Sequence, residues 1–189
     1  MTDLISQHHL EIIQQFISSW PIERLQTMTL EEYNSRQNKD SFCYWLEKKT
    51  EHLGSVWGGS GLKFGIFEFD YNHPDAEQKS DGSLKIPKYK WCKKYGSNAH
   101  EAFEKIKSII VSIAMAASAG DFGAIDNIDW EHMVKWKIAY LYQKPEESII
   151  ICEFNRDKLL KCAKCDDKTT PTSELYKKIY NNRIKKRYK

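Results

Sequence analysis

The sequence predicts an α+β domain: a mostly antiparallel sheet of about four strands, backed by one long central helix, with helices at the N- and C-termini. Three observations predict it. Helix-period and strand-period segments alternate as two helices, two strands, a long helix and two more strands. Short turn-rich connections join the paired strands, which suits antiparallel hairpins. Phe103, Ile106, Ile110, Ile113 and Ala117 form one apolar stripe on a segment long enough to back a sheet.

The elements follow in order. Leu4, Ile5, His8, His9, Ile12, Ile13 and Phe16 recur at helical spacing over residues 4–17, and Pro21 follows. Thr29 with Glu32 three residues on is a capping box. A second amphipathic helix runs over 41–53 and stops at Gly54, a suitable C-terminal glycine. "KFGIFEFDY" at 63–71 alternates and reads as a strand. The polar stretch 72–83 reads as an exposed loop, and "KIPKYKWCKKYG" at 85–96 as the partner strand, with Pro87 at an edge or a start. Ser97 or Asn98 caps the long helix, and Gly120 ends it. "MVKWKIAYLYQ" at 133–143 and "IIICEF" at 149–154 read as the second strand pair, joined by "KPEES". A short helix follows from Arg156. Thr172 or Ser173 caps a last, basic helix. Residues 1–168 form one globular recognition domain on this reading, and 169–189 a basic helix suited to link onward. No internal repeat or low-complexity tract interrupts the 189 residues.

Charge is unevenly placed. Residues 157–189 carry 11 Lys/Arg against 4 Asp/Glu, a net +7, while the rest of the chain is net −4. A basic tail on a slightly acidic body suits a nucleic-acid contact, or a solvated helix at a domain edge. No run of about 18 apolar residues spans a membrane. The N-terminus has no secretory pattern. Five cysteines without framework spacing fit a reduced, cytoplasmic protein.

Most catalytic chemistry is not spelled out. "GGSGLKFG" has no lysine directly after a glycine at phosphate-loop spacing and precedes a strand, so neither ATP nor GTP hydrolysis is expected. The backbone N–H groups of Gly58–Gly61 offer at most an anion nest near Lys63. Cys162-x-x-Cys165 lacks the second ligand pair of a structural zinc site, so no metal is expected. Glu68, Asp70, Glu153, Asp157 and Lys158 are the only strand-borne nuclease candidates, and they do not form a compact cluster. No serine or cysteine stands in a recognisable nucleophile setting. No catalytic residue and no cofactor is expected.

What remains is aromatic residues beside lysines, in "SVWGGSGLK", "KYKWCKKYG" and "VKWKIAYLY". Indoles stack on bases and lysines neutralise phosphates. The plainer reading is a strand whose Trp faces the core and whose Lys faces water. The candidate nucleic-acid contacts are Trp57, Gly58, Gly59, Ser60, Lys63, Lys90, Trp91 and Lys93, with Arg183, Lys185, Lys186 and Arg187 in the tail. The glycines let the turn reverse, and residues this small leave the Trp57 indole at a surface or pocket.

Over roughly residues 10–165 the chain resembles the amino-terminal domains found ahead of AAA+ motors of the McrB type. E-E-Y-N, Y-W-L-E, G-G-S-G-L-K-F-G-I and W-K-I-A-Y-L-Y-Q carry the resemblance. Those motors serve bacterial modification-dependent or multisubunit restriction systems against phage. The resemblance implies DNA recognition, including of modified bases, and partnership with a motor in cis or in trans and with a restriction nuclease subunit. This chain has no Walker A, Walker B or sensor motif, so the motor lies beyond Lys189 or the domain stands alone. The competing expectations are a docking module that joins a motor to its partner without touching DNA, and a metal-dependent nuclease.

Overall fold

A computed structural model describes residues 6–69, 83–86, 88–145 and 148–187, with the main chain alone at 83–86 and 186–187. Helices dominate it. They are α1 (Gln7–Ser19), α2 (Ile22–Thr27), α3 (Leu30–Tyr33), α4 (Phe42–Tyr44), α5 (Ala99–Ser118), α6 (Phe122–Asp126), α7 (His132–Tyr142), α8 (Arg156–Ala163) and α9 (Thr172–Arg187). The strands are β1 (Ile66–Glu68), β2 (Ser83–Ile86) and β3 (Tyr89–Cys92), in one antiparallel sheet of order β1-β3-β2.

The expected four-strand sheet is therefore corrected in two ways. The segment 85–96 is not one strand: β2 and β3 form a hairpin, with Leu84 opposite Trp91 and Ile86 opposite Tyr89. β3 then pairs on its other edge with β1, Ile66 opposite Trp91. The second expected strand pair is absent. Residues 133–143 alternate in type, but every residue from Val134 to Tyr142 is buried. A helix buried on all sides loses the 3.6-residue signature, so its apolar run reads equally as a strand. Glu131 fixes the helical choice by accepting the N–H of Val134 at 2.8 Å. With α7 helical, 149–154 has no strand beside it.

α5 is the central helix, as expected. Asn98 caps it by accepting the N–H of Glu101 at 2.9 Å, and Gly120, at φ 75°, follows its end. Its stripe of Phe103, Ile106, Ile110, Ile113 and Ala117 is buried. It contacts α7, α2, β1 and β3, so it joins the sheet to the helical body. The capping box at Thr29 and Glu32 forms. The helix over 41–53 is irregular: α4 widens into a π-turn over Trp45–Lys49, then tightens to a 3₁₀ turn over Glu51–Leu53. Thr50 N–H reaches back five residues to the Trp45 carbonyl at 3.0 Å.

The tail is not an appendage throughout. Leu175, Tyr176 and Ile179 are buried in the common core. The boundary expected at 168/169 thus falls inside the packed domain. Asp126, not Thr172 or Ser173, caps α9: its carboxylate accepts the N–H groups of Thr172 and Ser173 at 2.9 and 3.3 Å. Arg156 ties down the approach through Thr172 Oγ1 and the carbonyls of Lys168 and Thr170, each at 2.7 Å. Leu4, Ile5, Asp70, 72–82 and Pro87 lie outside the described residues. No helix among the described residues is long and apolar enough to cross a membrane.

Candidate functional site

The turn "GSVWGGSGLK" is held from beneath by two lysines. Lys137, wholly buried on α7, donates to the carbonyls of Thr50 and Gly54 at 2.9 and 2.7 Å. Lys63 donates to the carbonyls of Val56 and Gly58 at 2.7 and 2.9 Å, and to the Glu47 carboxylate. Four carbonyls that a bare turn would leave to water are thereby ordered. Gly58 and Gly59 stand at φ 99° and 71°, the left-handed region where a side chain strains the backbone. Ser60 Oγ accepts the N–H of Leu62 at 3.2 Å and starts the 3₁₀ turn Gly61–Phe64.

Trp57 projects from this turn and is 65% exposed, one of two large apolar side chains so placed among the described residues. Val56 before it is buried, and the residues after it are too small to cover an indole. Lys48, exposed on the π-turn, sets its ammonium 4.9 Å from the ring centroid of Trp57. The arrangement is an open aromatic face on a fixed turn, with a cation beside it.

The other expected contacts separate into groups. Trp91 is 2% exposed and donates its indole N–H to the Gly96 carbonyl at 3.1 Å, so the expected second stacking ring is a core residue. The strand's alternation explains it, since Tyr89 and Trp91 face inward. Lys90 faces the other way, opposite Phe67 and 6.0 Å from the ring centroid of Phe69. Phe67 also packs beneath Gly61, so Lys90 lies one strand away from the turn. Lys93 is exposed on the 3₁₀ turn after β3. Lys63 is corrected too: its ammonium is turned inward onto carbonyls, so it neither guards a phosphate nor joins an anion nest. Arg183 and Lys185 stand on the outer half of α9, while the side chains of Lys186 and Arg187 lie outside the described residues.

Sequence reasoning missed Lys48 and Lys137. Lys48 sits in an ordinary charged run, and only the π-turn aims it at the indole. Lys137 read as the wet side of a strand. Burial pulls its amine down to about 7, against the weaker pull of Glu51 and Glu47. Near pH 7 the amine is about half protonated, and two carbonyls receive its N–H groups in either form.

Other titratable groups are structural in placement. His132 is brought down to about 4 by burial and by Lys135 and Arg156, and its buried Nε2 has no hydrogen-bond partner among the described residues. Lys135 donates to the carbonyls of Asp126 and Ile128. Cys165 is lowered by its hydrogen bond to Thr170 and by Lys178. Among the described residues no three His, Cys, Asp or Glu side chains are grouped to share a metal ion. Glu68 accepts the N–H of Arg36 at 2.7 Å, and Glu153 that of Asn155 at 3.0 Å. Both former nuclease candidates thus organise local backbone. Comparison of the chain with protein-family models, curated proteins and solved structures finds no match.

Proposed function

We propose that this chain is a DNA-recognition module that stacks an exposed base on Trp57. One observation carries the reading: an indole 65% exposed on a turn staked by two lysines, with the Lys48 ammonium alongside. A rigid platform loses little entropy on stacking, and any base, modified or plain, offers a π-face. Lys48 and the outer cations of the tail supply phosphate contacts. The sequence resemblance adds the setting: a cytoplasmic restriction system, with a motor in cis or in trans and a nuclease subunit as partners. The chain itself acts as a reader rather than an enzyme.

The test is binding to plain, methylated and single-stranded DNA with and without magnesium. Trp57→Ala should weaken binding by roughly 1–3 kcal/mol, the value of one stack. Its melting temperature should stay near that of the parent. DNA affinity that is unchanged in Trp57→Ala sinks the reading. Salt-independent capture of a protein partner through Trp57 would favour the docking module, and magnesium-dependent cleavage the nuclease.

A further inference from the structure

Residues 148–151 lie in neither helix nor turn, the chain bends at Cys152, and no strand lies beside them among the described residues. The side-chain amide of Gln143 stands in for one. Its Nε2 donates to the Ile150 carbonyl at 2.9 Å, and its Oε1 accepts the Ile150 N–H at 3.0 Å. That is one rung of an antiparallel ladder, made by a side chain. In an extended chain the N–H and C=O groups of Ile149 and Ile151 point to the opposite edge. There Tyr176 Oη donates to the Glu153 carbonyl at 2.8 Å, after which α9 continues past the segment. Among the described residues the main-chain groups of Ile149 and Ile151 have no hydrogen-bond partner.

A cleft of about 570 Å³ lies at this segment, with His9, Tyr180 and Arg183 among its walls. Two side chains there are also unmatched. Tyr140 lines the cleft, and its hydroxyl has no hydrogen-bond partner among the described residues. Arg183, exposed on α9, has no carboxylate partner among the described residues. Half-buried main-chain groups are ordinarily paired, so among the described residues the cleft presents open donors and acceptors, with the exposed cation of Arg183 at its wall.

We infer that this cleft binds an extended acidic peptide, which adds a strand along Ile149 and Ile151 and places a carboxylate on Arg183. The pattern selects the class of partner. Two N–H donors and two C=O acceptors on one edge match another main chain. A phosphate backbone offers acceptors only and would leave both carbonyls unpaired. Ile149 and Ile151, half-buried, give the peptide's alternate residues an apolar floor. The inference is independent of Trp57.

Selection of random octapeptides displayed against the intact chain tests it. Enriched sequences should alternate apolar with acidic residues. A selected peptide should shift the amide resonances of Ile149 and Ile151. Ile151→Pro removes an N–H that has no partner among the described residues, so affinity should fall at least tenfold, and melting no more than in Ile151→Ala, which keeps the N–H but gives up the same half-buried side chain. The same peptide N-methylated at alternate residues should lose a similar factor on the unaltered protein. Arg183→Met should erase the preference for a Glu-bearing peptide over its Gln counterpart, and Trp57→Ala should change nothing. No enriched peptide, or equal binding by the N-methylated form, overturns the inference. So does displacement by a twelve-residue oligothymidylate from the parent and Ile151→Pro alike, which would assign the cleft to nucleic acid.

Discussion

Residues 56–63 and 134–142 use the same vocabulary, a tryptophan with lysines close by, and do opposite things with it. In the turn, Trp57 is 65% exposed and Lys63 is folded under it. In α7, Trp136 and Lys137 are both wholly buried. The tryptophan's position follows from the bulk of its neighbours. Glycines and serines cannot enclose an indole, whereas Ile138, Tyr140 and Leu141 belong to a helix surrounded by α5 and α1. The lysines are alike in one respect. Both give side-chain N–H groups to carbonyls of residues 50–58, so the buried helix braces the exposed turn.

The largest expected effect is the contrast between the two indoles. Trp136→Ala should cost about 3–5 kcal/mol in denaturant unfolding, the usual loss for a large core ring. Comparable losses for Trp57→Ala would break the comparison. Gly54→Ala should cost about 2–4 kcal/mol. Its φ is 95°, and a Cβ there would meet Phe154 Cε2 at 2.6 Å and the Cys152 carbonyl oxygen at 2.7 Å. Native melting in that variant would mean that the turn is not seated against 152–154.

Lys137 gives a pH signature. Its native value of about 7 lies below the ordinary lysine value, so above pH 7 the unfolded chain holds a proton that the native chain has released. Stability should therefore rise with pH, by about 1.5–2 kcal/mol between pH 7 and 8.5, at up to about 1.4 kcal/mol per unit. Ionisation of Cys43 and the buried phenols Tyr142 and Tyr176, all raised by burial, reverses the trend at higher pH. Urea titrations should show the rise in the parent and a clearly smaller one in Lys137→Met. His132 acts below this window. Neutral in the native state down to about 4, it makes stability fall as pH drops from 6.5 toward 4.

Gly58→Ala sharpens the picture at smaller scale. Its φ is 99°, but a Cβ there meets nothing within 4 Å. The cost should be backbone strain alone, about 1 kcal/mol. Smallest is the stability change of Trp57→Ala, expected within about 0.5 kcal/mol as for other surface changes.

Parts of the fold were legible, though the expected four-strand sheet was not among them. The α5 stripe, the Thr29 capping box and Asn98 are local patterns, and each formed. The exposed indole was legible too, because the smallness of its neighbours is written next to it. Less legible was anything in which a partner distant in sequence decides. Trp91 and Trp57 each stand near lysines, but β3 places Tyr89 and Trp91 together on its inner face, while the turn lets Trp57 out. Gln143 was unremarkable in sequence, yet its amide pairs both main-chain groups of Ile150 and supports an extended segment that lacks a strand.

The sequence by itself determined some of the points where the chain turns, Gly54 and Gly120 among them, and which helix is central. Glycine conformations, caps and the α5 periodicity act over a few residues and do not depend on what surrounds them. Tertiary structure alone decided that 133–143 is a helix and that Lys137 lies inside it. An apolar run shorter than about a dozen residues satisfies either backbone, and enclosure by α5, α1 and the 50–54 carbonyls favours the form that satisfies its hydrogen bonds internally. The same enclosure turned Lys63 and Lys137 from presumed surface charges into supports. An ammonium finds its acceptors wherever the folded chain leaves carbonyls unpaired, and that placement is known only once the distant segments have met.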